Sequence, residues 1–190
     1  NLINRLKIYK LRSDIQIEEV NNYYSYSIFN INYEVDYTIL LNDPRNSNLG
    51  KKLILNNKIK ISDSNIEEIS EIEYHEILIE NTTPYSPLDI LENKSLLLEN
   101  NFDNLNAIDW DKGCYVGQEI TARMKYRGLL KKKLYSLKLK NGNILVGDEL
   151  IINDKKIGTI ISIANSNIFA ILNINFVNEL KNTNKSLVVN

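Results

Sequence analysis

The hydrophobic pattern changes period at Gly128, and that change restricts the fold more than any other feature of the chain. Beyond it, Tyr135, Leu137 and Leu139 alternate with polar residues, as in a half-buried strand. Short apolar runs follow at 150–152, 157–163, 168–175 and 187–189. Asn141-Gly142 is the strongest short hairpin signal. Short strands at this spacing predict a small all-β module, a barrel or sandwich, over residues 131–190. The region before it, residues 1–130, reads as mixed, so the fold class expected is α+β. There Leu2, Leu6 and Tyr9 recur at helical spacing, and 15–20, 24–29 and 35–41 read as strands. Asp43-Pro44-Arg45 interrupts them, since proline cannot continue a ladder. Residues 53–55 and 59–61 suggest a hairpin around 56–58. Ser64, with Glu67 as capping-box partner, predicts the start of a helix with Ile66, Ile69, Ile72 and Ile79 on one face. Residues 81–106 read as loop, with Pro84 and Pro87.

Composition removes several functions. The net charge is −1, whereas a general nucleic-acid binder is usually basic, so nucleic acid is not an expected partner. No apolar run approaches the length that spans a bilayer, and no membrane role is expected. A single cysteine cannot form an internal disulfide and fits a reducing compartment. The chain begins at Asn1 inside a periodic segment, which reads as a piece lacking its N-terminus.

That cysteine lies in Lys112-Gly113-Cys114-Tyr115-Val116-Gly117-Gln118-Glu119. If 118–126 is a helix, the thiol sits just before its start, where backbone amides favour an anion. Glu119 and Arg123 form an i,i+4 pair, and Gly128 is placed to stop the helix. Lys112, Arg123 and Arg127 are candidates to add positive charge around a thiolate. Cys114 is thus a candidate nucleophile or metal or cluster contact. The plain alternative is a small buried hydrophobe, and the flanking glycines argue against it by implying a special backbone or a close approach. Trp110 and Tyr115 either stack on a flat heterocycle or pack at the junction. The basic run Arg123, Lys125, Arg127, Lys131, Lys132 and Lys133 is either an anion site or a solvated face. One histidine, His75, and one cysteine leave a zinc site short of ligands, and one thiolate cannot hold an iron–sulfur cluster alone. No resident metal is expected.

Residues 112–119 resemble the signature of the YgfZ-type folate-binding proteins, which include mitochondrial factors assisting late 4Fe-4S cluster assembly. Ala122-Arg123-Met124, Tyr126-Arg127-Gly128, the apolar entry at 105–111, Glu99 and Asp103 are similar to the same pattern. So, more weakly, are Arg5-Leu6, Tyr9-Lys10-Leu11-Arg12 and Asp43-Pro44-Arg45. Such proteins resemble the glycine-cleavage T-protein, an aminomethyltransferase using tetrahydrofolate, which lacks the Gly-Cys-Tyr-x-Gly-Gln-Glu run. The resemblance implies the C-terminal part of a T-protein-like folate-binding domain over residues 1–130, then a small β-barrel over 131–190. It implies tetrahydrofolate as cofactor, and iron–sulfur assembly or client proteins as partners with transient cluster contact. It also implies a bacterial cytoplasmic or, alternatively, mitochondrial-matrix location. Leu78 and Thr82 depart from the pattern, where arginine and glycine are common. With the N-terminal part of that domain absent, this chain alone is expected to bind folate poorly.

These implications make the chain an auxiliary factor in 4Fe-4S assembly rather than an enzyme in its own right. Cys114 would be the working thiol and Gly113 and Gly117 would shape its loop. Lys112, Arg123 and Arg127 would set its charge, and Tyr115, Gln118 and Glu119 would support it. The alternatives are a tetrahydrofolate-dependent aminomethyl or one-carbon transferase, linked to tRNA modification, and a motif that merely clamps two domains.

Overall fold

The computed structural model describes residues 2–30, 39–59 and 66–183. It is mixed α and β with two antiparallel sheets, and it divides into two compact units. Unit 1 comprises residues 1–42 and 51–66, and unit 2 comprises 43–50 and 67–190. The sequence division at about residue 130 falls inside unit 2. Among the described residues no helix is long and apolar enough to cross a membrane.

Unit 1 holds helix α1 (Leu2–Lys10) and strands β1 (Tyr24–Ile28), β2 (Ile39–Asn42) and β3 (Lys51–Leu55). The sheet order is β1-β3-β2, with Leu53 opposite both Tyr26 and Leu40. β3 therefore has β1 and β2 on its two edges; of the hairpin expected between 53–55 and 59–61, residues 60 and 61 lie outside the described residues. So do 35–38 of the strand expected at 35–41, whose remainder is in β2. Residues 15–20 form no strand, and Ile15 and Val20 are exposed.

Unit 2 is built on helix α2 (Glu71–Glu80), helix α3 (Gln118–Tyr126), strands β4 (Lys132–Lys138), β5 (Glu149–Ile152), β6 (Lys155–Ala164) and β7 (Asn167–Asn173), and helix α4 (Ile174–Thr183). The sheet order is β4-β7-β6-β5. β7 reads as a continuous apolar run because both its faces are covered. Ile168, Ala170 and Leu172 pack in a cluster with Val177 of α4, while Phe169, on the opposite face, packs with Ile79 of α2. β5 and β6 join through Asn153-Asp154, both at positive φ (49° and 59°), the geometry of a type I′ turn.

Three expectations for this region are corrected. Among the described residues the sheet is open, with β4 and β5 as edges, so no barrel closes. The region is not all-β either, because the Asn173 side chain accepts from the backbone N–H groups of Asn175 (2.9 Å) and Phe176 (3.3 Å) and starts α4. Asn141-Gly142 bends the chain without making a hairpin, since β4 pairs with β7 rather than β5. The strand expected at 187–189 lies outside the described residues.

Helix α2 begins later than its first capping signal. Ser64 lies outside the described residues, and 66–70 are not helical. A second capping box, Ser70 with Glu73, starts the helix: Glu73 N–H donates to Ser70 Oγ (3.3 Å) and Ser70 N–H to Glu73 Oε2 (2.7 Å). The Ser70 hydroxyl and amide hold the Glu73 carboxyl below its usual pKa. The buried face is then His75, Leu78 and Ile79, with Ile69 and Ile72 outside. The far end is a Schellman motif: Thr83 N–H donates to Leu78 O (2.9 Å) and Thr82 N–H to Ile79 O (2.9 Å). Thr82 occupies the left-handed position at φ 50°. A β-branched residue there is strained, which accounts for glycine being common at this point of the pattern it departs from. Thr82→Gly is therefore expected to stabilise unit 2 by about 1 kcal/mol, read as a higher thermal midpoint.

Candidate functional site

Cys114 is exposed, as is the whole loop from Asp111 to Gly117, and Val116 stands clear of the protein at 104% relative exposure. The buried-hydrophobe alternative for this thiol is thereby removed. Gly117 precedes α3 at φ 88°, in the left-handed region, where a side chain costs about 1–2 kcal/mol. Gly117 offers no side-chain cap. Instead Gln118 Oε1 accepts the Tyr115 N–H (3.1 Å) and Gln118 N–H donates to Tyr115 O (3.3 Å), closing 115–118 on itself. Gly113 has neither positive φ nor a crowding neighbour, and nothing in the structure explains its identity. Glu119 and Arg123 form the expected ion pair. At the far end Arg127 N–H donates to Arg123 O (3.0 Å), and Gly128 follows at φ 61°.

The charged and aromatic neighbours are occupied locally. Lys112 Nζ lies 4.5 Å from the Tyr115 ring centroid and Lys125 Nζ 3.6 Å from that of Trp110. Trp110 also meets Tyr126 edge-on, with centroids 6.2 Å apart. Lys132 pairs with Glu99 (3.4 Å) and Lys133 with Asp103 (3.5 Å). With Arg123 also paired, half of the basic run is neutralised where it stands, which weakens the anion-site reading. Arg45 grips the buried Asp43 through Nε (3.0 Å) and Nη2 (2.7 Å), and Asn106 donates to Pro44 O (2.9 Å). The hydrogen bonds to Asp43 raise the Arg45 pKa against the pull of burial, with the Tyr74 hydroxyl adding to them. Asp43-Pro44-Arg45 is thus a staple within unit 2. His75 is buried, with Nε2 3.0 Å from Asp89 Oδ1, and so is committed to packing.

A groove of about 250 Å³ adjoins the cysteine loop. One wall is Ser95–Leu98; the other is Tyr115, Val116 and the Ile120 and Met124 side of α3. Leu96-Leu97-Leu98 is the signal for the first wall, an apolar run in a segment read only as loop. The polar side chains lining the groove are the hydroxyl-bearing Ser95, Tyr115 and Thr121, and among the described residues no charged group lines it. A folate carries a hydrogen-bonding pterin and an anionic tail, so this lining does not fit it. Leu78, where the pattern has arginine, is fully buried in the core. Among the described residues no group of three His, Cys, Asp or Glu is placed to hold a metal ion. Chemically, the site presents one exposed thiol on a hydrogen-bonded turn beside an apolar trough.

Comparison with known proteins follows the same line. No family profile matches the chain. The chain is 32% identical over 171 residues to the mitochondrial iron-sulfur cluster assembly factor IBA57 homolog of Dictyostelium discoideum, covering 80% of this chain and 42% of that protein. It is 32% identical over 143 residues to the Mycosarcoma maydis counterpart (72% and 35%) and 30% over 104 residues to that of Mus musculus (54% and 28%). The chain thus spans less than half the length of these relatives. Its relatives are mitochondrial iron–sulfur cluster assembly factors, and across most of its residues the chain is their homologue.

Proposed function

We propose that this chain is the thiol-bearing part of an auxiliary factor in 4Fe-4S cluster assembly, with Cys114 making the contact to a cluster, its carrier or a client protein. The observation that carries this reading is the exposure of the only thiol on a loop closed by Gly117 and Gln118. A thiolate is the side chain suited to iron–sulfur chemistry, and one thiolate holds a cluster only when another molecule supplies the rest. The cluster is therefore cargo shared with a partner. Residues 1–130 are read as part of a T-protein-like domain and 131–190 as the module that follows it. The relatives' names favour the mitochondrion over the cytoplasm.

The test is a chimera in which this chain replaces the matching part of the Dictyostelium relative, expressed in cells lacking their own factor. Recovery of 4Fe-4S enzyme activity is the expected result; a stable chimera without recovery would refute the reading. Folate is a separate matter. From its lining, this groove is not expected to take tetrahydrofolate: calorimetry is expected to give the same result for the native chain and Ile120→Asp, and a difference between them would contradict this.

A further inference from the structure

We infer that Asp89 is a positioning residue for the cysteine site, acting through the strap of chain that forms the first wall of the groove. The inference rests on the reading of the Cys114 loop as the working site, but its test uses no iron–sulfur enzyme. Asp89 is 1% exposed, and its carboxylate gathers three separate elements. Oδ1 takes His75 Nε2 of α2 (3.0 Å) and the Ser162 hydroxyl of β6, while Oδ2 takes the Tyr85 N–H (2.6 Å). A buried carboxylate is tolerated when charge-assisted hydrogen bonds replace its water, and here three do so. Ser162 lies 73 residues away in sequence, so this carboxylate fixes the strap to the sheet.

From Asp89 the constraint runs directly to the groove. Leu91 N–H donates to Ser95 Oγ (2.8 Å) and Ser95 N–H to Leu91 O (3.1 Å), folding the turn that delivers the first lining residue. Past the groove, the buried Asn101 donates through Nδ2 to Leu134 O of β4 (2.9 Å). The strap is thus pinned at both ends, at β6 by Asp89 and at β4 by Asn101, and its middle, Ser95–Leu98, faces α3 across the groove. Its backbone makes no sheet ladder, so these pins, with the Lys132–Glu99 and Lys133–Asp103 ion pairs and the buried Leu98, set where the wall stands.

The experiment labels Cys114, the chain's only cysteine, with a solvent-sensitive fluorophore and compares the native chain with Asp89→Asn and Ser162→Ala. The asparagine cannot accept the Tyr85 N–H through its amide nitrogen, and Ser162→Ala removes one donor while leaving the carboxylate intact. Emission is expected to shift to the red in Asp89→Asn, less so in Ser162→Ala, as the wall withdraws from the label. Hydrogen exchange at 91–98 is expected to quicken by at least about tenfold while β7 stays within about twofold. A lower melting temperature with unchanged emission and unchanged local exchange would make Asp89 a stability residue only, and faster exchange throughout the sheet would do the same. If Asp89→Asn does not fold, Ser162→Ala decides between the same outcomes.

Discussion

Replacing Cys114 by alanine is expected to leave the fold untouched and to abolish support of 4Fe-4S enzymes. The thiol is exposed and makes no packing contribution, so the stability change is expected within about 0.5 kcal/mol. The melting temperature should therefore move by less than about 2 °C. Function should fall to the level of cells lacking the factor, because no second sulfur ligand lies in the loop: the chain has one cysteine, and its one methionine, Met124, lines the groove. The measurement is 4Fe-4S enzyme activity in extracts of cells carrying the chimera, with melting curves of the purified chain alongside. An alanine chimera that restores full activity would remove the thiol from the mechanism. Alanine that instead unfolds the chain would favour the structural-clamp alternative.

The largest stability effect is expected at Gly158. This residue lies in β6 opposite Leu150 on β5 and Leu172 on β7, beside a register shift on the β5 flank. A methyl group added there would sit 2.5 Å from the Ile171 carbonyl oxygen and 3.2 Å from Leu172 Cα, and closer still to Leu172 Cδ2. Two of these obstacles are backbone, so relief requires the β6–β7 ladder to part. Gly158→Ala is expected to cost about 2–3 kcal/mol, toward the upper end for overpacked sites. That corresponds to a fall of roughly 5–10 °C in the thermal midpoint, measured by circular dichroism. A fall under about 2 °C would mean the strand absorbs the methyl group.

What sequence reveals here follows the range of the forces involved. Alternation locates β4 and short apolar runs locate β5 through β7, because both are local properties of each strand. Which strands pair is non-local, and there Asn141-Gly142 misleads: its turn chemistry is genuine, but β4 finds β7, some thirty residues on, while Asn153-Asp154 makes the tight hairpin. Helix α4 hides in a run that reads as strand through Asn175, because the switch depends on one side chain, Asn173, turning to cap. The cysteine loop is far more legible. Glu119–Arg123, the Gly128 stop and the special backbone at Gly117 are all local features, and all three are in the structure. The opposing wall is not legible, since Asp89 and Asn101 hold it through bonds to residues 73 and 33 positions away.

The short ring of hydrogen bonds between Tyr115 and Gln118 separates two kinds of inheritance in this molecule. The thiol's presentation is encoded by a few adjacent codons and one helical turn, with no debt to the sheet below. Its trough depends on buried polar contacts scattered along the chain. Drift in the sheet can therefore retune how wide or how firm the trough is, and hence which surface is received, while the sulfur itself stays where it was.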